Sequence, residues 1–266
     1  MPYLDLAPDF KPYYEIHDHT DPWTKPETII FVHGFTENLT AFNAWIPAMS
    51  RKYRLILFDI RGFGRTAAVD EHFKFSTELY VDDLVRIINH LAGEAVHVIG
   101  GKSGCISAMR LAATRPDLVK TLTLGAPPLK APGSAEWLPF METHGIRGWA
   151  RHTMGGRLGP VPPRCVDWWV EMMGATAMST AKAYLKWVGH VEPAKDLPGI
   201  KAPTLAIMTE SSNLADNAAG QVDHNVMRQG APHAELLLLK MDCYHPAGAH
   251  PDLCAQATLE FMARHA

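Results

Sequence analysis

Apolar residues along this chain follow two alternating rhythms. Short runs of β-branched and aliphatic residues at 27–33 (ETIIFVH), 53–60 (YRLILFDI), 95–100 (AVHVIG) and 118–124 predict strands. Near-continuous apolar runs suit strands buried on both faces. Between them the apolar positions take helical spacing. Leu39, Phe42, Trp45, Ile46 and Met49 mark a helix over 38–51; Leu79, Val81, Leu84, Ile87, Ile88 and Leu91 mark another over 76–92, with Ser76 as its cap. A third helix, 105–114, stops at Arg115-Pro116. The rhythm returns later as a strand at 203–209, a helix at 217–229, a strand at 235–241 and a helix at 252–264. Such alternation predicts right-handed crossovers and a mainly parallel sheet covered on both faces. Residues 3–16 add an antiparallel edge hairpin.

Between these halves the pattern breaks. Trp137, Trp149, Trp168, Trp169 and Trp187 fall within 131–196 among methionines, glycines and prolines. This stretch reads as a compact helical insertion, so the division is a core domain of 1–130 and 197–266 with an insertion at 131–196. An insertion there sits over the crevice at the carboxyl ends of the strands, where such sheets bind ligands.

Composition narrows the function classes. With 266 residues, 47% apolar and 20% charged, the chain can bury one large core. A net charge of −3 and the absence of any Lys/Arg-rich run argue against nucleic acid. No apolar stretch reaches the ~20 residues of a bilayer span, and the first residues lack a signal-peptide pattern. Cys105, Cys165, Cys243 and Cys254 show no paired spacing, so neither a metal site nor a disulfide framework is expected. The expected home is the cytoplasm, and the expected partner a small molecule, with no membrane; a homodimer is compatible with all of this.

The chemistry concentrates at strand ends. Gly100-Gly101-Lys102-Ser103-Gly104-Cys105 joins an apolar strand to a helix. A serine in such a turn needs small neighbours, and the turn aims its hydroxyl at the helix N-terminus. Ser103 is therefore the candidate nucleophile, although Cys105 stands where a G-x-S-x-G pattern ends in glycine. His33-Gly34-Phe35-Thr36-Glu37-Asn38 ends an earlier strand, and the Phe35 and Gly104 amides are the candidate oxyanion pair. His33 reads as a structural turn residue and Glu37 as a charge complementing a helix dipole. His245, in the loop after the last strand, is the candidate base, preferred over His250.

The blocks IIFVHGFTEN, LILFDIRGFGRT, VIGGKSGCISA, KAPTLAIMTE and CYHPAGAHPD resemble the α/β-hydrolase superfamily, in order and over almost the whole chain. The resemblance implies a mostly parallel, eight-stranded twisted sheet with helices on both faces and a helical cap. It also implies a Ser–His–acid triad, an acyl-enzyme route, and neither metal nor organic cofactor. Asp59 and Arg61 resemble a superfamily landmark and read as structural. The acid departs from the pattern. Ser212 stands in the usual aspartate place, leaving Glu210 as the first candidate, with Asp216, Asp223 or no side chain at all as alternatives.

Lys102 is unusual beside the expected nucleophile and suits an anionic substrate or a developing negative charge, unless it points into solvent or pairs with a carboxylate behind the turn. Arg147, Arg151, His152, Arg157 and Arg164 in the insertion suit a carboxylate-bearing substrate or a solvated face. Trp168-Trp169 and Met172-Met173 line a pocket or form the insertion's own core. The reading that follows is hydrolysis of a small ester, lactone or dicarbonyl. The alternatives are cofactor-free oxygenase or lyase chemistry with His245 as base, and a binding protein on the same scaffold.

Overall fold

Seven strands form the sheet among the residues that the computed structural model describes, 3–132, 136–210 and 224–265. They are β1 (Tyr14–His17), β2 (Thr28–Val32), β3 (Arg54–Phe58), β4 (Val96–Gly101), β5 (Val119–Gly125), β6 (Thr204–Thr209) and β7 (Glu235–Leu239). Their order is β1-β3-β2-β4-β5-β6-β7. β1 is antiparallel to β3 and every other pairing is parallel. The register sets Val32 beside Gly100, Gly101 beside Gly125, and Gly125 beside Ile207. The carboxyl ends of β2, β4, β5 and β6 thus finish on one level, and the loops leaving them meet.

Successive strand residues point to opposite faces, and two buried clusters follow from that. Ile30, Val32, Ile56, Val98 and Leu122 pack on one face under α2 (Thr77–Leu91) and α3 (Gly104–Thr114). Ile29, Phe31, Leu55, Leu57 and Ile99 pack on the other, under Leu39, Phe42, Trp45 and α9 (Pro251–Arg264). Ser76 caps α2, its Oγ accepting from Leu79 N–H at 3.0 Å. The remaining helices are α1 (Ile46–Met49), α7 (His224–Gly230) and α8 (Pro246–Ala249), together with α4 (Trp137–Leu158), α5 (Pro163–Gly174) and α6 (Met178–Val188) between β5 and β6. No described helix is long and apolar enough to cross a membrane.

Three sequence expectations shift. The described sheet has seven strands where eight were expected. The edge hairpin reduces to isolated bridges, Tyr3 with Tyr13 and Ala7 with Phe10, ahead of β1. Pro8 and Pro12 offer no amide to a ladder there. The helix expected over 38–51 splits into a 3₁₀ turn, Leu39–Trp45, and α1, whose first turn holds Pro47. Asp59 and Arg61 brace the core: Asp59 accepts from the amides of Leu39 and Arg65 at 2.7 Å each, and Arg61 grips Asp83 through two 2.8 Å bonds.

Candidate active site

The turn between β4 and α3 has little room. A Cβ on Gly104 would lie 2.3 Å from the Val32 carbonyl oxygen and 2.5 Å from that of His33. One on Gly100 would lie 3.0 Å from Cys105 Cα. The two crowded glycines therefore frame Lys102, and Lys102 is the residue with left-handed backbone, φ +51°. A non-glycine there costs on the order of 1–3 kcal/mol. Ser103 has helical angles, φ −68° and ψ −15°, and is the N-cap of α3. The sequence reading put Ser103 at the apex of the turn; the structure puts Lys102 there, one residue earlier.

The Ser103 hydroxyl accepts from the Phe35 amide at 2.8 Å. It also stands against Tyr184, whose phenol is pushed up by burial and held back slightly by that hydroxyl. The Phe35 ring stacks on Tyr184 with centroids 4.7 Å apart. Phe35 N–H thus reaches this corner as expected, but its partner is the serine oxygen. The Gly104 amide, expected as the second oxyanion donor, lies in the first turn of α3 beside that of Ser103.

His245 opens α8, and its surroundings orient the ring. Its Nδ1 accepts from Gly248 N–H at 3.2 Å, so the ring proton sits on Nε2 and is donated to Glu37 Oε1 at 2.9 Å. The other carboxylate oxygen of Glu37 accepts from Gly34 N–H at 2.9 Å. Both side chains are buried. Burial raises the Glu37 pKa, yet His245, the Gly34 amide and His33 outweigh it and hold the carboxyl below its ordinary value. Trp169 from α5 covers the imidazole at 4.8 Å. Backbone amides of Tyr244 and His245 both donate to the Arg157 carbonyl, at 2.7 and 2.9 Å.

Two sequence assignments change here. Glu37 is the carboxylate at His245, not a charge serving a helix dipole. Glu210, expected as the acid, follows β6 and is exposed; Ser212, Asp216 and Asp223 lie outside the described residues. His33 is structural, as read: its Nδ1–H donates to the Gly34 carbonyl and Nε2 accepts from Ile60 N–H, 3.0 Å each. The Glu37–His245 pair spans 208 residues, so chain spacing could not reveal it. The one available signal was that Glu37 shares a strand-end loop with Phe35.

Two basic side chains complete the site. Lys102 Nζ donates to the Tyr244 carbonyl at 3.1 Å and lies 2.9 Å from the centre of the Tyr244 ring. Burial first, and then the nearby Arg157, hold its ammonium well below the ordinary lysine pKa. The Arg157 guanidinium stands 4.5 Å from Trp149 and 5.2 Å from Trp137, and its Nε has no partner among the described residues. The other insertion cations point elsewhere: Arg147 pairs with Glu171, Arg151 with Asp167, His152 stacks on Phe140, and Arg164 is exposed. Burial pushes the Cys105 thiol up and that of Cys243 to about 11, so neither is a thiolate. Glu37, Lys102, Ser103, Arg157, Tyr184 and His245 share one cleft of about 500 Å³, including its open mouth.

A family model described as alpha/beta hydrolase fold matches residues 27–160, half of the chain. The chain belongs to the alpha/beta hydrolase family. The match takes in the loop after β2, the turn at Lys102 and the Arg157 turn of α4. A probable lysophospholipase, BODYGUARD 4 of Arabidopsis thaliana, is 28% identical over 141 residues, 47% of this hydrolase and 33% of that protein. The strigolactone esterase RMS3 of Pisum sativum is 30% identical over 105 residues, 38% and 39% of the two chains. The matched stretches thus span well under half of these relatives' own length. The enol-lactonase of Burkholderia xenovorans LB400 shares the fold, with a TM-score of 0.82 at 17% identity, covering 98% of this chain and 100% of that one.

Proposed function

We propose that this alpha/beta hydrolase cleaves a small carbonyl compound with water (an ester, lactone or dicarbonyl) through the Glu37–His245 pair. The observation that carries the reading is the 2.9 Å contact between two buried groups that open on one cleft beside Lys102 and Ser103. A carboxylate kept ionised by its imidazole neighbour can take a proton from an attacking water; His245 can give its Nε2–H to the leaving group and be reprotonated at Nε2 by Glu37. General acid–base transfer of this kind contributes roughly 10²–10⁴-fold. Attack places negative charge on the carbonyl oxygen, which the Gly104 amide at the start of α3 can help to stabilise. In this reading the substrate oxygen takes the Phe35 N–H from the Ser103 hydroxyl, which stays nearby as a hydrogen-bonding group. A role as acyl carrier would need His245 at that hydroxyl, where Phe35 and Tyr184 stand instead. The named activities of the esterase and enol-lactonase relatives support the substrate class.

The test is a panel of small esters, lactones and 1,3-dicarbonyls assayed with wild type, Glu37→Gln, His245→Ala and Ser103→Ala. The first two variants are expected to lose on the order of 100-fold in kcat/KM, and Ser103→Ala less than about tenfold. A fluorophosphonate is expected to leave the protein mass unchanged. A single adduct on Ser103, with Ser103→Ala inactive, would overturn this assignment in favour of an acyl-serine.

A further inference from the structure

The reaction as proposed leaves the most constrained side chain of the site unused. Lys102 stands at the apex of the turn, strained at φ +51°, framed by Gly100 and Gly104, with its amine in the cleft shared by Glu37 and His245. Polar satisfaction does not require an amine there: its described hydrogen bond goes to one carbonyl, that of Tyr244. Nor does it pair with an acid among the described residues. The charged and titratable groups around it are Arg157 from α4, Cys105 from α3, Glu37 from the loop after β2, and Cys243 and Tyr244 from the loop before α8. Burial and Arg157 favour the neutral amine, the form that attacks carbonyl carbon. Arg157 is the second unspent group: a guanidinium on the same cleft with no acidic partner among the described residues.

From this geometry we infer that Lys102 is an amine nucleophile that holds a small β-dicarbonyl acid as a Schiff base while Arg157 binds the acid's carboxylate. The inference rests on the hydrolytic reading above and narrows its substrate to an oxo acid with a second carbonyl. The neutral Nζ adds to the ketone carbon, the C=O pair moves to oxygen, and a proton passes from nitrogen to that oxygen. The Glu37–His245 pair protonates the resulting hydroxyl, water leaves, and a protonated C=N bond remains. A water deprotonated by the same pair then adds to the other carbonyl. The bond between that carbon and the intervening carbon breaks, and its electron pair flows into the iminium to give an enamine and a carboxylic acid. A proton returns to the enamine carbon, and a second water hydrolyses the iminium, freeing the ketone and Lys102. The sum is one dicarbonyl plus one water giving one acid and one ketone. Water attack is easier here because the electron pair has a cation to flow into.

The experiment incubates the folded protein with 2,4-dioxopentanoate and cyanoborohydride, with its methyl ester as control, and follows intact mass and peptide maps alongside turnover. The expected result is one adduct, heavier by the probe less one oxygen atom, on the peptide carrying residue 102. Lys102→Met and Lys102→Arg should lose the adduct and the turnover together. Arg157→Gln should raise the half-saturating concentration of the acid at least about tenfold and leave that of the methyl ester little changed. Peptide mapping of wild type decides even where a variant folds poorly. A wild type labelled no more than Lys102→Arg, or labelled only at other lysines, overturns the inference; turnover without label does so too and leaves the hydrolytic reading standing. Label on Lys102 without turnover supports the amine, and together with an inert ester and lactone panel it sinks the hydrolytic reading.

Discussion

At the scale of single residues, the turn after β4 makes opposite demands on adjacent positions. Gly104 has no space for a methyl group, because the Val32 and His33 carbonyls approach where it would sit. Gly104→Ala is therefore expected to destabilise by at least about 1–3 kcal/mol, read as a lower denaturation midpoint. Lys102 tolerates a side chain but has a backbone angle that L-residues resist. The expected signature is an inverted order of small substitutions. Lys102→Gly should be more stable than Lys102→Ala by about 1–2 kcal/mol, the reverse of what a helix or strand would give. Equal midpoints for the two would mean that the left-handed angle is not kept in solution.

At the scale of elements, the histidine depends on helices that do not carry it. His245 is the N-cap of α8, and a Cβ on Gly248, one turn along, would lie 2.5 Å from the Trp169 indole of α5. Gly248→Ala should push the imidazole off Glu37 and cut turnover about tenfold or more, and a second change, Trp169→Leu, should restore part of it. Steady-state rates on the single and double variants check this; no recovery would show that Gly248 acts in another way. The strands were legible from apolar runs, since burial on both faces leaves that mark on sequence. The register of the β4–α3 turn was not. Three glycines lie within five residues, so Gly101-x-Ser103 and Gly100-x-Lys102-x-Gly104 both read as a turn, and the close approach of β2 to Gly104 and the left-handed angle of Lys102 separate them. Cys105 at the end of the first frame was the clue. Glu37 was hidden for a different reason: pairing across 208 residues is a property of the sheet, not of spacing.

At the scale of the whole molecule, buried ionisable groups fix how stability responds to acid. His33 is held neutral, mainly by burial, with a folded pKa below its ordinary 6.5. Below that value the unfolded chain takes up a proton that the folded chain refuses, so stability is full above it and falls with pH. Glu37 has a folded pKa below its ordinary 4.5, so its contribution is present above 4.5 and is lost as pH falls through the folded value. Both effects have the same sign. The melting temperature is expected to decline as pH drops below 6.5 and to fall faster below 4.5. His33→Gln should melt lower near neutrality, yet lose less between about pH 7 and about pH 5. A parent curve flat across that window would contradict the assignment.

The Arg157 carbonyl, which accepts from the amides of both Tyr244 and His245, bears on how this architecture can be rebuilt. The same helix end places Gly159, at φ +69°, where any Cβ would strike the Asp242 carbonyl. The helical insertion is thus not a interchangeable part set on a finished reaction centre. Its last turn is half of the mould in which the histidine loop is cast. A graft of α4–α6 from another family member should give a chain that folds and melts cooperatively but leaves its imidazole mis-set, with activity returning only when the 242–248 loop travels with the graft.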